Sequence, residues 1–154
     1  MMNEKIMISG EIRTIGEKSK VQETIKILPS GLLICDIKIT NPFSSTDESI
    51  KCNALIDTGC DTSIICQSIF ERFTIDESKI EKIGLLTVNN FEKEATLYPV
   101  RISVPARNWS ESSVQVGVLN LLDRKGYRAI IGIDILKHFK LYSDWVQRIA
   151  WLEV

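Results

Sequence analysis

Ala54-Leu55-Ile56-Asp57-Thr58-Gly59-Cys60-Asp61-Thr62-Ser63-Ile64-Ile65 is the stretch on which the reading of this chain turns. Three apolar residues run directly into an acid. That pattern places Asp57 at the mouth of a buried strand, where a low-polarity surrounding hinders ionisation and lets neighbours tune it. Gly59 frees the backbone just after the acid. The tripeptide Asp57-Thr58-Gly59 carries little bulk and leaves room for another group to approach. Two such carboxylates brought together form an acid/base pair that shares a proton. The chain holds one copy of the tripeptide, so the second acid has to come from another molecule. Taken alone, the same three residues also read as an Asx turn that ends a strand.

Working outward, 154 residues fit a single domain, 1–154, long enough to bury a sizeable core. The chain is 44% apolar and 25% charged, which is ordinary for a globular protein. Its 19 basic and 20 acidic residues are spread along the chain for a net charge of −1. That balance offers no footprint for nucleic acid and no polybasic patch for a membrane. Glu4 and Lys5 interrupt the N-terminus, no apolar leader follows, and no stretch approaches a membrane span. The expectation is a soluble, cytoplasmic protein. Cys35, Cys52, Cys60 and Cys66 show no C-x-x-C spacing, and the one histidine, His138, is distant from them. No metal site is expected, and the four cysteines read as reduced, mostly buried thiols. Cys60 is oxidation-sensitive if it lies beside the carboxylate.

Alternation and turn chemistry predict many short strands. Residues 5–15 carry Ile6, Ile8, Ile12 and Ile15 between polar residues. Residues 24–40 read as a hairpin turning at Pro29-Ser30-Gly31, and residues 41–49 as a polar loop. Residues 50–56 form the strand that runs into Asp57. Ile65, Ile69, Phe70 and Phe73 have helical spacing, which predicts a short helix within 64–73. Residues 82–88 and 95–104 are strands around Asn89-Asn90, a dipeptide suited to a tight hairpin. Residues 114–122 form another strand, with Lys125-Gly126 in a turn after it. Ala129-Ile130-Ile131-Gly132 is a buried strand. Asp134 is placed as the N-cap of a short helix through Phe139, and residues 148–154 close the chain as a strand. Trp109, Trp145 and Trp151 read as packing or interface residues.

Two segments then fit together. The first is the Ala54 to Ile65 run. The second, Ile130-Ile131-Gly132-Ile133-Asp134-Ile135-Leu136, begins about seventy residues downstream. Hydrophobic residues before the Asp-Thr-Gly, small polar residues after it, and an apolar-apolar-Gly-x-Asp-x-Leu segment at this distance resemble the retropepsin-like aspartic proteases, most nearly the short stand-alone cellular members. The resemblance covers residues 51–154, about two-thirds of the chain, and leaves residues 1–50 as N-terminal strands that cap an edge or add dimer contacts. It implies a mainly β, retropepsin-like acid-protease half-barrel with a ψ-loop, a flap hairpin over residues 84–96 and one or two short helices. The flap has Asn89 and Asn90 at its tip in place of a glycine-rich one, and Ile133 stands where viral members often have Arg. Residues 139–144 and 149–152 match the closing hairpin of the cellular members.

The resemblance further implies a homodimer in which two Asp57 carboxylates hydrolyse a peptide bond through an activated water, with no cofactor. Thr58 and Gly59 support the loop. Asp61, Asn89 and Asn90 are candidate contacts to a peptide or protein substrate. The flap, residues 114–122 and residues 130–133 supply apolar pocket walls. Two other functions fit the same residues: a catalytically silent dimeric module that holds extended peptides by strand addition, and a purely structural dimer.

Overall fold

The computed structural model describes residues 5–8, 11–14, 25–88, 91–120 and 126–154. In chain order the elements are β1 (Lys5–Ile8), β2 (Glu11–Thr14), β3 (Ile25–Ile27), β4 (Leu33–Thr40), β5 (Ser49–Ile56), β6 (Ile64–Cys66), α1 (Gln67–Phe70), β7 (Glu81–Val88), β8 (Phe91–Val104), β9 (Trp109–Leu119), β10 (Ala129–Ile131), α2 (Ile133–Leu136), β11 (Lys140–Asp144) and β12 (Ile149–Glu153). Strands dominate, as the density of isoleucine and valine predicts.

Eight strands form one sheet in the order β3-β4-β5-β10-β6-β9-β8-β7. A further pairing of β4 with β8, Lys38 to Thr40 against Ser103 to Arg101, closes it into a barrel. The barrel therefore depends on the region before residue 50. β4 lies antiparallel to β5 from Ile34↔Leu55 to Thr40↔Ser49. The N-terminal region does more than cap an edge, because its strand β4 is one of the staves. β1 and β2 pair with each other as an antiparallel hairpin.

β10 sits between β5 and β6, parallel to the first and antiparallel to the second. This is the ψ arrangement that the resemblance implies. Side chains alternate across the staves. Ala54, Ile56, Ile65, Ala129 and Ile131 join the main core with Ile37, Ile39, Tyr98, Val100 and Ile102. Leu55 and Ile64 turn to the other face, into a smaller apolar cluster with Ile34, Cys66, Ala95, Leu119 and Tyr127.

Several boundaries differ from those read off the sequence. The helical spacing over 64–73 hides a strand. Ile64 and Ile65 pair with β10 on one edge, Ile64, Ile65 and Cys66 pair with β9 on the other, and one helical turn follows. Double-edged pairing of a buried β-branched run overrides a three-to-four periodicity carried by few residues. β9 begins at Trp109, five residues before residue 114, because it pairs back along β8 as far as Val104. Asn89, Asn90 and residues 121–125 lie outside the described residues.

One polar network, buried at Asn41 and Tyr98 and open to solvent at Thr74, ties the 41–48 loop to the barrel. The Asn41 amide donates to Glu48 Oε2 (3.0 Å) and to the Thr74 carbonyl (2.8 Å), and its oxygen accepts from the Tyr98 hydroxyl (3.1 Å). Thr74 donates from its backbone N–H and its hydroxyl to the Glu48 carboxylate (2.7 and 2.5 Å). Phe43 and Phe70 stand edge-on to the Tyr98 ring. The polar tip of a buried tyrosine is thus satisfied while its ring fills the core.

The closing hairpin β11–β12 is paired from Lys140↔Glu153 to Asp144↔Ile149. Trp151 stacks on Tyr142 at 3.9 Å. Its turn is fastened to the turn of the β3–β4 hairpin. Trp145 Nε1 donates to the Gly31 carbonyl (2.8 Å), and Arg148 donates to the Ile27 carbonyl (3.0 Å).

Candidate active site

β5 ends at Ile56, and Asp57 extends its pairing by one step, with its N–H donating to the Ile131 carbonyl at 3.0 Å. The chain then turns. Cys60 N–H donates to the Asp57 carbonyl (3.2 Å), and Gly59 N–H donates to Asp57 Oδ1 (2.9 Å). The Asx turn is real, and it aims the carboxylate. Asp57 and Cys60 are half-buried, whereas Thr58, Gly59 and Asp61 are exposed. A Cβ added at Gly59 would lie 3.3 Å from Asp57 Oδ1, so any side chain there crowds the acid.

The far side of the loop is pinned by a backbone crossing. Ile133 N–H donates to the Cys60 carbonyl at 2.8 Å. A Cβ on Gly132 would stand 2.4 Å from that same carbonyl oxygen. Gly132 has an extended backbone, φ −98°, so it is required by close approach and not by a left-handed conformation. The two sequence segments that carried the resemblance meet at this contact.

Asp134 corrects an expectation. It is not the N-cap of the helix. Gly132 holds that position, and Asp134 lies inside α2. Its carboxylate accepts from Ser63 N–H (2.9 Å), Ser63 Oγ (2.6 Å) and Ile135 N–H (2.9 Å). Ser63 is buried, and its hydroxyl oxygen accepts from Gly132 N–H at 3.0 Å. Asp134 and Ser63 thus buttress the crossing from below. Ile133, between Gly132 and Asp134, is exposed.

Cys60 lies beside Asp57. Its thiol donates to the Thr62 carbonyl at 2.9 Å. Burial pushes its pKa up, the Thr62 hydrogen bond opposes that, and the charges of Asp57, Asp134 and Asp61 add to the rise. A thiol held protonated is a poor nucleophile. Burial pushes Cys35 up to about 12 and Cys52 up to about 11.

Tyr127 escaped sequence reasoning. It follows Gly126, whose φ of +81° turns the chain into β10. Its ring is buried, and its phenol is pushed up by burial first and by the charge of Asp57 second. A lone tyrosine after a turn gives no periodic signal, so only the register of β10 reveals where it lies. Of the pocket walls expected along 114–122, Val114 and Val116 face the main core, and Leu119 joins the cluster around Tyr127. Residues 84–96, expected as a flap, lie within the β7–β8 hairpin, which has a register shift between Ile83 and Leu85.

Among the described residues no group of three or more His, Cys, Asp or Glu is placed to hold a metal ion. Among them, too, no helix is long and apolar enough to cross a membrane.

Sequence comparison finds no match, either to a family model or to a curated protein. Structure comparison does. The chain is similar to a retropepsin-like aspartic protease from Rickettsia conorii, with a TM-score of 0.58 and 17% identity, covering 83% of this chain and 86% of that one. It is also similar to EIAV protease complexed with the inhibitor HBY-793, with a TM-score of 0.47 and 20% identity over 68% of this chain and 85% of that one. The fold is retropepsin-like: a mainly β barrel with a ψ crossing and two one-turn helices.

Proposed function

We propose that the chain is an aspartic endopeptidase that acts as a homodimer, with one Asp57 from each protomer. The observation that carries this reading is the setting of Asp57: an acid at the end of a barrel strand, aimed by Gly59 N–H, on a loop locked by the Gly132 crossing. A single carboxylate so placed is half of an acid/base pair. The exposed Thr58 beside it is free to meet the partner loop, where its hydroxyl would donate to one group and accept from another. The retropepsin-like fold supports the same conclusion.

The chemistry follows from two carboxylates close enough to share one proton; aspartic proteases are the familiar instance of that effect. The ionised member takes a proton from a water held between them, and the resulting hydroxide adds to the peptide carbonyl carbon. The protonated member gives its proton to the carbonyl oxygen, forming a gem-diol. The carboxyl that gained the water proton passes it to the nitrogen while the other, now ionised, takes a proton back from a gem-diol hydroxyl; the C–N bond breaks, the carboxylic acid and the amine leave, and the pair again holds one proton. Gly59 lets the substrate backbone come close. Asp61, exposed two residues after Gly59, is offered as an acceptor for substrate amides, and Asn89 and Asn90 as contacts from the flap.

Asp57→Asn tests the reading. Incubated with a mixed peptide library, with and without a peptide-like hydroxyl-containing inhibitor, the wild type should cleave and the variant should lose about a thousandfold or more. Both proteins should show the same circular dichroism spectrum and dimer mass. A folded Asp57→Asn variant with full activity ends the assignment.

A further inference from the structure

Residues two apart along a strand share a face. Leu55 therefore lies on the same side of β5 as Asp57, and Ile130 on the same side of β10 as Gly132. Leu55 and Ile130 are register partners across the parallel pair. Both belong to the smaller apolar cluster, and so does Cys60 of the Asp57 loop. This is the ground on which a substrate side chain beside Asp57 would rest, yet the chain covers much of it with its own atoms. Leu55 is only 9% exposed, and the Tyr127 ring that packs in the same cluster is 5% exposed. Tyr127 shares this cluster with Cys60, three residues after Asp57 on the same loop, and the charge of Asp57 reaches its phenol.

We propose that Tyr127 sets the depth of the pocket beside Asp57, so that the cleft takes peptides with a small apolar side chain, of Ala or Val size, next to the bond to be cut and discriminates against aromatic ones. The inference rests on the reading of the Asp57 loop as a peptide cleft. Truncating Tyr127 would leave a recess lined by Leu55, Ile64 and Ile130.

The test is the flanking-residue bias of the wild type, Tyr127→Ala and Tyr127→Phe with one peptide library, read by mass spectrometry. Wild-type cut sites should favour Ala or Val over Phe or Tyr by about tenfold, and Tyr127→Ala should erase most of that bias. Tyr127→Phe should keep it, since the ring remains. Where Tyr127→Ala does not fold, Tyr127→Leu takes its place and should shift the bias in the same direction. An unchanged bias in a folded truncation overturns this inference and leaves the protease reading standing. Absence of cleavage by the wild type overturns the protease reading; the same bias, read as peptide retention on the wild type and the truncation, then decides the pocket by itself.

Discussion

The Asp57 loop and the joined turns of the β3–β4 and β11–β12 hairpins both bring distant segments together, but with different materials. At the Asp57 loop, backbone meets backbone: a Cβ on Gly132 would be 2.4 Å from the Cys60 carbonyl oxygen. At the joined turns, side-chain donors reach backbone acceptors, Trp145 to Gly31 and Arg148 to Ile27. The first contact admits one residue type. The second asks only for a donor of the right reach on a half-exposed surface. A crossing of backbones is therefore written into the sequence as a fixed residue, and a clamp of side chains is not.

That contrast predicts unequal costs. The largest is expected at Gly132. Gly132→Ala drives a methyl into main-chain atoms, which cannot swing aside, and should destabilise the fold by about 3 kcal/mol, measured as a shift of the urea midpoint at constant slope. Trp145→Phe replaces the indole with a smaller phenyl ring and removes one hydrogen bond at a half-exposed position, and should cost about 1 kcal/mol or less in the same assay. Equal costs at the two sites would break the comparison.

The smallest effect is expected in the 41–48 loop, far from either contact. The Thr74 hydroxyl first, then the Asn41 amide and the Thr74 N–H, hold the Glu48 carboxyl below its ordinary value. A carboxylate with a depressed native pKa contributes stability that is fully present above its unfolded value and is lost as pH falls through the native one. Thermal melts of Glu48→Gln should therefore show a shallower loss of stability on acidification than the wild type. Parallel acid limbs for the two proteins would remove Glu48 from the account.

The same contrast explains what the sequence discloses. Asp57 and Gly59 were legible because each answers a local demand that few residues meet: an oriented acid and an uncrowded carboxylate. Gly132 was legible as the end of an apolar run and as part of the resemblance, but not as a close crossing, because the Cys60 carbonyl it meets comes from a distant segment. β5, β10 and β12 were legible through their apolar runs, and β11, with the sequence Lys140-Leu141-Tyr142-Ser143-Asp144, only through the resemblance. β4 was legible as a strand but not as a barrel stave, because its pairing with β8 is a matter of register between segments sixty residues apart. Asp134 misled for a related reason. An acid near a helix start is a good cap in isolation, and only the approach of Ser63 from 71 residues away diverts it to a buttress. Tyr127 was invisible for want of any local pattern.

The central claim is that two Asp57 side chains, one per protomer, act on one bond. Mixing wild-type chains with an equal amount of Asp57→Asn chains, under conditions that let subunits exchange, tests it directly. Random pairing leaves about one quarter of the dimers with both acids. Activity per total chain should fall to about one quarter of the pure wild-type value. A fall to about one half, as expected when each chain works alone, would contradict the account.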